Sequence, residues 1–403
     1  MKNLLSAFDI GTSKVCTLVA EIGEGNDVTL LGYGVAPCSG LRKGVVVNIE
    51  ATVEAIHAAM AEAERSSGAK ATNAVVGIAG SHIRGFNSHG IVAVRGGEVG
   101  ARDVERVIEA ARAVAIPLDR QVLHVLPQQF AVDDQEGVRD PVGMAGVRLE
   151  ARIHIVTTAQ GYAQNLIKCS ERAGVTVAEL VLEPLASAEA ALFPEERELG
   201  VALVDIGGGT TDIVVYHAGA VMHTAVLPLG GNHLTSDLAA GLRTALVDAE
   251  KLKTSFGVAT NQVVGFDEMV RVPGVGGREP RTLARRLLGE ILEPRMEEIF
   301  VMVQRELIRS GVAEALASGV VLVGGSSLLE GTQELAERVF DLPVRRGLPV
   351  NLKGMPEELM KPMFATAAGL LLVGRGTGTS AGVRARRWGK LRSRVSGWVR
   401  DFF

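Results

Sequence analysis

Two glycine turns, almost two hundred residues apart, restrict the folds open to this chain more than any other feature. The first is Asp9-Ile10-Gly11-Thr12-Ser13-Lys14 and the second is Asp205-Ile206-Gly207-Gly208-Gly209-Thr210-Thr211-Asp212. Each follows a short apolar run, Leu4 to Phe8 or Val201 to Val204, and each precedes another, Val15 to Ala20 or Ile213 to Tyr216. Both therefore predict strand, tight turn, strand, with an aspartate at the head of the turn. Glycine allows close backbone approach, and backbone N–H groups with Ser/Thr hydroxyls at such a turn hold phosphate oxygens. An aspartate beside them suits Mg²⁺, usually through water, because Mg²⁺ gives up its hydration shell reluctantly. Taken singly, either turn is an ordinary hairpin. Repetition of Asp, Gly and hydroxyl residues in the same order predicts a duplicated domain that clamps one nucleotide between two phosphate hairpins.

The surrounding pattern repeats as well. Strands are predicted at 4–8, 15–21 and 28–35, then a helix at 49–66 with Val53, Ile56, Met60 and Ala63 in helical spacing, then a buried strand at 73–79. After the midpoint the order recurs, with strands at 200–205, 211–217 and 220–227 and a helix from about His233. Between 79 and 183 lies a stretch of different character, read in part as an inserted subdomain. It carries a predicted helix at 101–115 and strands at 122–125, 130–132 and 153–157, joined by the loop 133–144. The predicted class is α/β, with two similar halves around a cleft and an inserted α+β subdomain.

Three further segments suit a nucleotide cleft. Val320–Val323 followed by Gly324-Gly325-Ser326-Ser327 reads as strand, glycine turn and helix start, which places a helix N-terminus near phosphate. Glu250 and Lys253 share one helix face and are spaced to reach ribose hydroxyls, although an exposed ion pair is the plainer reading. The stretches 183–188 and 365–369 read as small-residue helices that resemble the pair crossing at the hinge of actin-like halves, with Glu183 at the start of the first, where it could position a water near the terminal phosphate.

Composition removes several classes of function. The net charge of −4 gives no reason to expect nucleic-acid binding. Cys16, Cys38 and Cys169 are far apart, which argues against a zinc site or a disulfide framework. Asp9 and Lys14 interrupt any signal-peptide core, and no run approaches the roughly 18 apolar residues of a spanning helix, so the bulk of the chain is expected to be soluble and cytoplasmic. The end is unlike the rest. A glycine-rich linker at 374–382 leads to a segment, Arg384 to Phe403, with seven Lys/Arg and one Asp, a net +6 that leaves −10 elsewhere. On a helical wheel Trp388, Leu391, Val395, Trp398 and Phe402 fall on one face, and most basic residues, such as Arg387, Lys390 and Arg394, fall outside it; Arg384 and Arg392 fall within it, where long side chains can snorkel. That pattern predicts an amphipathic helix at 383–403 lying on an anionic phospholipid membrane.

A nucleotide-clamping core with such a tail resembles the FtsA family of bacterial cell-division proteins, within the actin-like (ribonuclease H-like) ATPase superfamily. The most specific match is Phe130-Ala131-Val132-Asp133-Asp134-Gln135-Glu136-Gly137-Val138-Arg139-Asp140-Pro141-Val142-Gly143-Met144, continuing to Arg148-Leu149-Glu150, which is similar to that family's own inserted subdomain, 1C. The resemblance implies subdomain 1A at 1–83 and 166–196 with a return near 363–373, 1C at 84–165, 2A at 197–229 and 312–362, and 2B at 230–311. It implies ATP and Mg²⁺ as ligands, with Asp9 and Asp205 facing the metal and its waters. Gly11, Thr12, Ser13 and Lys14 would hold phosphates, together with Gly207, Gly208, Gly209, Thr210 and Thr211. Glu250 and Lys253 would hold the ribose, and Gly324, Gly325 and Ser326 the adenosine. Glu183 or Asp205 would polarise the attacking water, with hydrolysis slow or hard to detect.

The same resemblance implies an actin-like filament and capture of the C-terminal tail of FtsZ, the tubulin-like division protein. The surface expected for that tail is the helix 283–310, with Arg285 and Arg295. Other division proteins are further implied partners, and the implied location is the cytoplasmic side of the membrane at the septum. Two alternatives stay open at this level: a platform protein of a pilus or secretion system similar to PilM, and a small-molecule kinase of the same superfamily.

Overall fold

The apolar runs flanking each glycine turn become the central strands of two five-stranded sheets built to one plan. In the computed structural model, which describes residues 3–376 apart from 24, 26, 266 and 351, the first sheet has the order Thr176–Leu182, Asn73–Ile78, Leu4–Ile10, Lys14–Ile22, Val28–Pro37. The second has the order Val344–Arg346, Val320–Val323, Val201–Ile206, Thr211–His217, Ala220–Leu227. In both, the strand before the glycine turn pairs antiparallel with the strand after it and parallel with its other neighbour. This register sets Asp9 opposite Cys16 and Asp205 opposite Asp212. Central strands covered on both faces read as unbroken apolar runs, and Leu203, Val204 and Ile206 are fully buried.

The halves meet along two helices, Glu183–Ala191 and Ala365–Gly376. Small residues let them touch: a Cβ on Gly369 would stand 1.7 Å from the Ala186 carbonyl oxygen. The second helix runs to Gly376, so the first residues of the expected linker are helical. The rest of the linker and the tail, with Arg387, Trp388, Lys390, Leu391, Arg394, Val395, Trp398 and Phe402, lie outside the described residues. Among the described residues, no helix is long and apolar enough to cross a membrane.

Residues 84–159 form a sheet of their own, ordered Arg84–Ala93, Arg148–Ala159, Arg120–Val132, Gln135–Val138. The helix Ala101–Arg112 covers it around a separate core that includes Val104, Val107, Phe130, Leu149 and Ile153. Several sequence expectations shift here. The two strands foreseen at 122–125 and 130–132 are one, because the ladder absorbs Pro127 at a register shift beside Ile153. The loop 133–144 contains a short strand, turned by Asp133 and Gly137 at φ 52° and 73°. Residue 165, the expected end of the insertion, falls inside the helix Gln160–Arg172, which packs against Ile49–Ser67 of the first half. The insertion also leans on the second half: Gln128 Nε2 donates to Val221 O (2.9 Å), and the fully buried His154 bonds Thr224 Oγ1 (2.9 Å) through Nε2.

Between Leu227 and Val320 the second half carries the helices Gly231–Leu242 and Leu246–Phe256, a hairpin, and the long helix Arg286–Arg309. That last helix starts after the foreseen Leu283, because Leu283 and Ala284 belong to the hairpin strand Arg281–Ala284.

Candidate functional site

The two glycine turns face each other across the cleft. A Cβ on Gly208 would lie 2.1 Å from Ser13 Oγ, and one on Gly209 would lie 2.6 Å from Thr12 Oγ1. Each turn is closed by the same bond, Gly11 N–H to Lys14 O (2.9 Å) and Gly207 N–H to Thr210 O (3.0 Å). The helix Gly231–Leu242 abuts the second turn, its first N–H groups donating to Gly207 O (2.9 Å) and Gly208 O (2.8 Å). Thr210 Oγ1 donates to Asp212 Oδ2 (2.8 Å), while the fully buried Thr211 donates its hydroxyl to Leu229 O (2.9 Å), bracing the turn from behind.

Acidic groups gather beneath the turns. Asp9 is 3.6 Å from Lys14 Nζ, which also donates to Met363 O (2.9 Å). Burial raises the Asp9 carboxyl, opposed by Lys14; burial lowers Lys14, but Asp9, Cys16 and Asp205 together more than offset it. Asp205 Oδ2 accepts from Ser187 Oγ (2.9 Å) and Thr366 Oγ1 (3.1 Å), one hydroxyl from each crossing helix. Burial pushes Asp205 up to about 6 despite those bonds, and burial with the neighbouring Asp205 charge pushes Asp212 up to about 8. Glu183 stands well above the usual carboxylate range through burial and the charges of Asp9, Asp212 and Asp205.

The residues that sequence reading expects on the adenosine side also come together. Lys253 Nζ donates to Gly231 O (3.0 Å), Thr235 Oγ1 (2.8 Å) and Glu250 Oε2 (2.7 Å). Burial lowers the Lys253 ammonium, and Glu250 offsets part of that. The pair is thus a built network rather than an exposed ion pair. Ser326 lies against Gly231, where a Cβ would come within 2.6 Å of its Oγ. Gly324, at φ 84°, touches Asp205, and Gly325 borders open space. Gly325–Leu328 is a 3₁₀ turn, so the expected helix start is displaced to Thr332–Phe340. The helix N-terminus that meets a phosphate turn is Gly231–Leu242 instead.

The chemistry of the cradle fits a hydrated Mg²⁺ and a polyphosphate. Glycines bring the two turn backbones together, the hydroxyls of Thr12 and Ser13 lie between them, and buried Asp212 Oδ1 has no hydrogen-bond partner. Among the described residues no group of three His, Cys, Asp or Glu side chains is placed to hold a metal ion. Sequence reading passed over Asp212, Ser187 and Thr366 as site residues. Asp212 was legible as the acidic end of the second motif, whereas the hydroxyls become visible only once the helices cross. Arg285 and Arg295 lie away from this cluster. Arg285 pairs with Glu268 (2.7 Å) and Glu330, and Arg295 with Asp237 (2.6 Å) and Glu298.

Comparison with known proteins agrees with this geometry. The family described as "Cell division protein FtsA" matches residues 202–369, and the "SHS2 domain inserted in FTSA" matches residues 80–157. The chain is 50% identical over 371 residues to the cell division protein FtsA of Pseudomonas aeruginosa, covering 92% of this chain and 89% of that protein. It is 39% identical over 406 residues to that of Escherichia coli K12, covering 99% and 96%. Among solved structures, a chain of the PilM-PilN type IV pilus biogenesis complex aligns with a TM-score of 0.67 at 18% identity, covering 92% of this chain and 98% of that one. MreB5 of Spiroplasma citri bound to AMPPNP aligns at 0.56 and 14% identity, covering 94% and 97%. These structural likenesses show an actin-like fold.

Proposed function

This chain belongs to the FtsA family of cell-division proteins, and from that premise we propose that it is an ATP-binding, actin-like division protein that polymerises and ties FtsZ to the cytoplasmic face of the membrane. The observation that carries the nucleotide part is the pair of facing glycine turns, whose backbones a single Cβ would jam. Gly11–Lys14 and Gly207–Thr210 would hold the phosphates, with Thr211 bracing the second turn. Glu250 and Lys253 would hold the ribose, and Gly324, Gly325 and Ser326 the adenosine. Asp9 and Asp205 would orient the waters of Mg²⁺, which when bound supplies the positive charge that the acidic floor lacks. Glu183, whose carboxyl is pushed well above its usual range by burial and by the charges of Asp9, Asp212 and Asp205, or Asp205 would polarise the attacking water if hydrolysis occurs, with the nucleotide mainly governing shape and assembly.

Self-association through subdomain 1C, and capture of the FtsZ tail by subdomain 2B, rest on family membership. Arg285 and Arg295 already hold carboxylates of their own subdomain, so a peptide would engage the helix Arg286–Arg309 by displacing Glu330 or Glu298 or by contacts beside them. Membrane attachment rests on the sequence pattern of the tail. Gly389 and Gly397 each cost about 1 kcal/mol in helix formation, so one tail binds reversibly and many on one polymer bind firmly.

Co-sedimentation with anionic liposomes tests the whole reading. The full chain should pellet, more so with Mg-ATP, and a chain ending at Gly382 should not. Equal behaviour of the two would remove the membrane tether and favour a pilus-platform role.

A further inference from the structure

The short hairpin Leu41–Arg42 and Val45–Val46 is turned by Lys43 and Gly44, both left-handed, at φ 53° and 73°. A two-residue turn of this hand is normally filled by Asn, Asp or Gly, because a lysine there carries strain with no local hydrogen bond in return. Strain of this kind is kept where surroundings impose it, commonly at ligand sites. The surroundings here are the two phosphate turns. A Cβ on Gly209 would lie 3.0 Å from both the N and Cα of Lys43, and Gly44 N–H donates to Thr12 Oγ1 (3.2 Å). The hairpin tip therefore lies across both turns.

Its side chain is exposed, and no described residue pairs with its ammonium. Lys14, by contrast, is committed to Asp9 and to Met363 O. A cleft floored by Asp9, Glu183, Asp205 and Asp212 has little positive charge left for the last phosphate of a chain. We propose that Lys43 is the ligand of the nucleotide's terminal phosphate and makes the cleft distinguish a nucleoside triphosphate from a diphosphate. The proposal rests on the nucleotide reading above. On its far side the hairpin presses on Gly80, where a Cβ on Gly44 would come within 2.8 Å of Gly80 Cα, a few residues before the inserted sheet begins at Arg84. A phosphate-driven shift of Lys43 thus has a backbone route to the insertion.

The test compares dissociation constants for fluorescent ATP and ADP, with Mg²⁺, in the full chain and in Lys43→Asn and Lys43→Arg. Asn suits the turn and removes the cation, so its melting temperature should match or exceed that of the parent. Lys43→Asn should weaken ATP about tenfold and leave ADP within about twofold, and Lys43→Arg should keep most of the ATP affinity. Equal losses for both nucleotides, or no loss for ATP, would overturn the proposal. A parent chain that binds neither nucleotide would overturn the nucleotide reading and the role of Lys43 with it.

Discussion

Set side by side, the turn at Gly11 and the turn at Gly207 hold the same backbone bond to the residue three positions on, yet that residue is Lys14 in one and Thr210 in the other. In the first half the lysine stands 3.6 Å from Asp9 and supplies charge on the spot. In the second, Thr210 offers Asp212 a neutral hydrogen bond, and Asp212 Oδ1 is left buried without a partner. Burial then holds Asp205 at about 6 and Asp212 at about 8. Sheet pairing requires the backbone of both turns and is indifferent to their charge, so duplication preserved the one and let the other diverge. The first half carries its own cation. The second depends on protons, or on a cation that arrives with a ligand.

The largest effect that could break this contrast is loss of that cation. Lys14→Met should cost about 3–5 kcal/mol at pH 8 in urea denaturation, because it strands Asp9 and the acids near it. The loss should shrink at pH 5.5, below the values of about 6 and 8 to which burial raises Asp205 and Asp212. A variant as stable as the parent at pH 8 would mean that Lys14 does not neutralise the floor.

Glycines after the matching parallel strands sharpen the contrast further. A Cβ on Gly324 would meet Asp205 Oδ1 at 2.5 Å and Ile206 O at 2.6 Å, whereas one on Gly80 would meet the His82 ring at 2.9 Å and Gly44 O at 3.1 Å. Gly324→Ala should cost about 2–4 kcal/mol and Gly80→Ala about 1–2 kcal/mol, measured in the same way. The reverse order would mean that the second half packs more loosely than the first.

A smaller effect concerns protons. Asp212 is raised in the fold, so the folded chain binds more protons than the unfolded one, and stability falls as pH rises toward and past 8. Acidifying the ligand-free chain from pH 8.5 to 7 should add about 1 kcal/mol from Asp212, and Asp212→Asn should reduce the gain by about that amount, leaving whatever Glu183, also raised, contributes. The window stops above 6.5, because burial lowers His82, His124 and His154 to about 4, 4 and 3, and their contribution is lost as pH falls below 6.5. Comparable in size, Ser187→Ala removes one of the two hydroxyls on Asp205 and should cost about 1 kcal/mol.

The duplicated plan was legible because paired apolar runs around Asp-Gly turns leave few other sheets to build. The spacing of Glu250 and Lys253 on one helix face was legible, but the burial of Lys253 among Gly231 O and Thr235, and the approach of Gly324 to Asp205, were not. Arg84–Ala93 was not, since Arg84, Asn87, Ser88 and His89 give it little apolar pattern and its partner strand lies more than fifty residues away. Ser187 and Thr366 meet at 2.8 Å across a sequence gap of 179 residues, which no local pattern reports. The strain at Lys43 is equally silent in sequence, where Arg-Lys-Gly reads as a polar loop. Charge pairing also hid itself: Arg285 and Arg295 read as free basic residues until Glu268, Glu330, Asp237 and Glu298 were seen beside them.

The most direct measurement is calorimetric titration of ATP into the full chain with and without Mg²⁺, repeated with Gly209→Val. A side chain at that position would drive the second turn away from Thr12 and Lys43. The parent should bind ATP in a Mg²⁺-dependent manner, and the variant, still folded, should lose at least about a hundredfold in affinity. Equal affinity in parent and variant would place the nucleotide somewhere other than between the two turns.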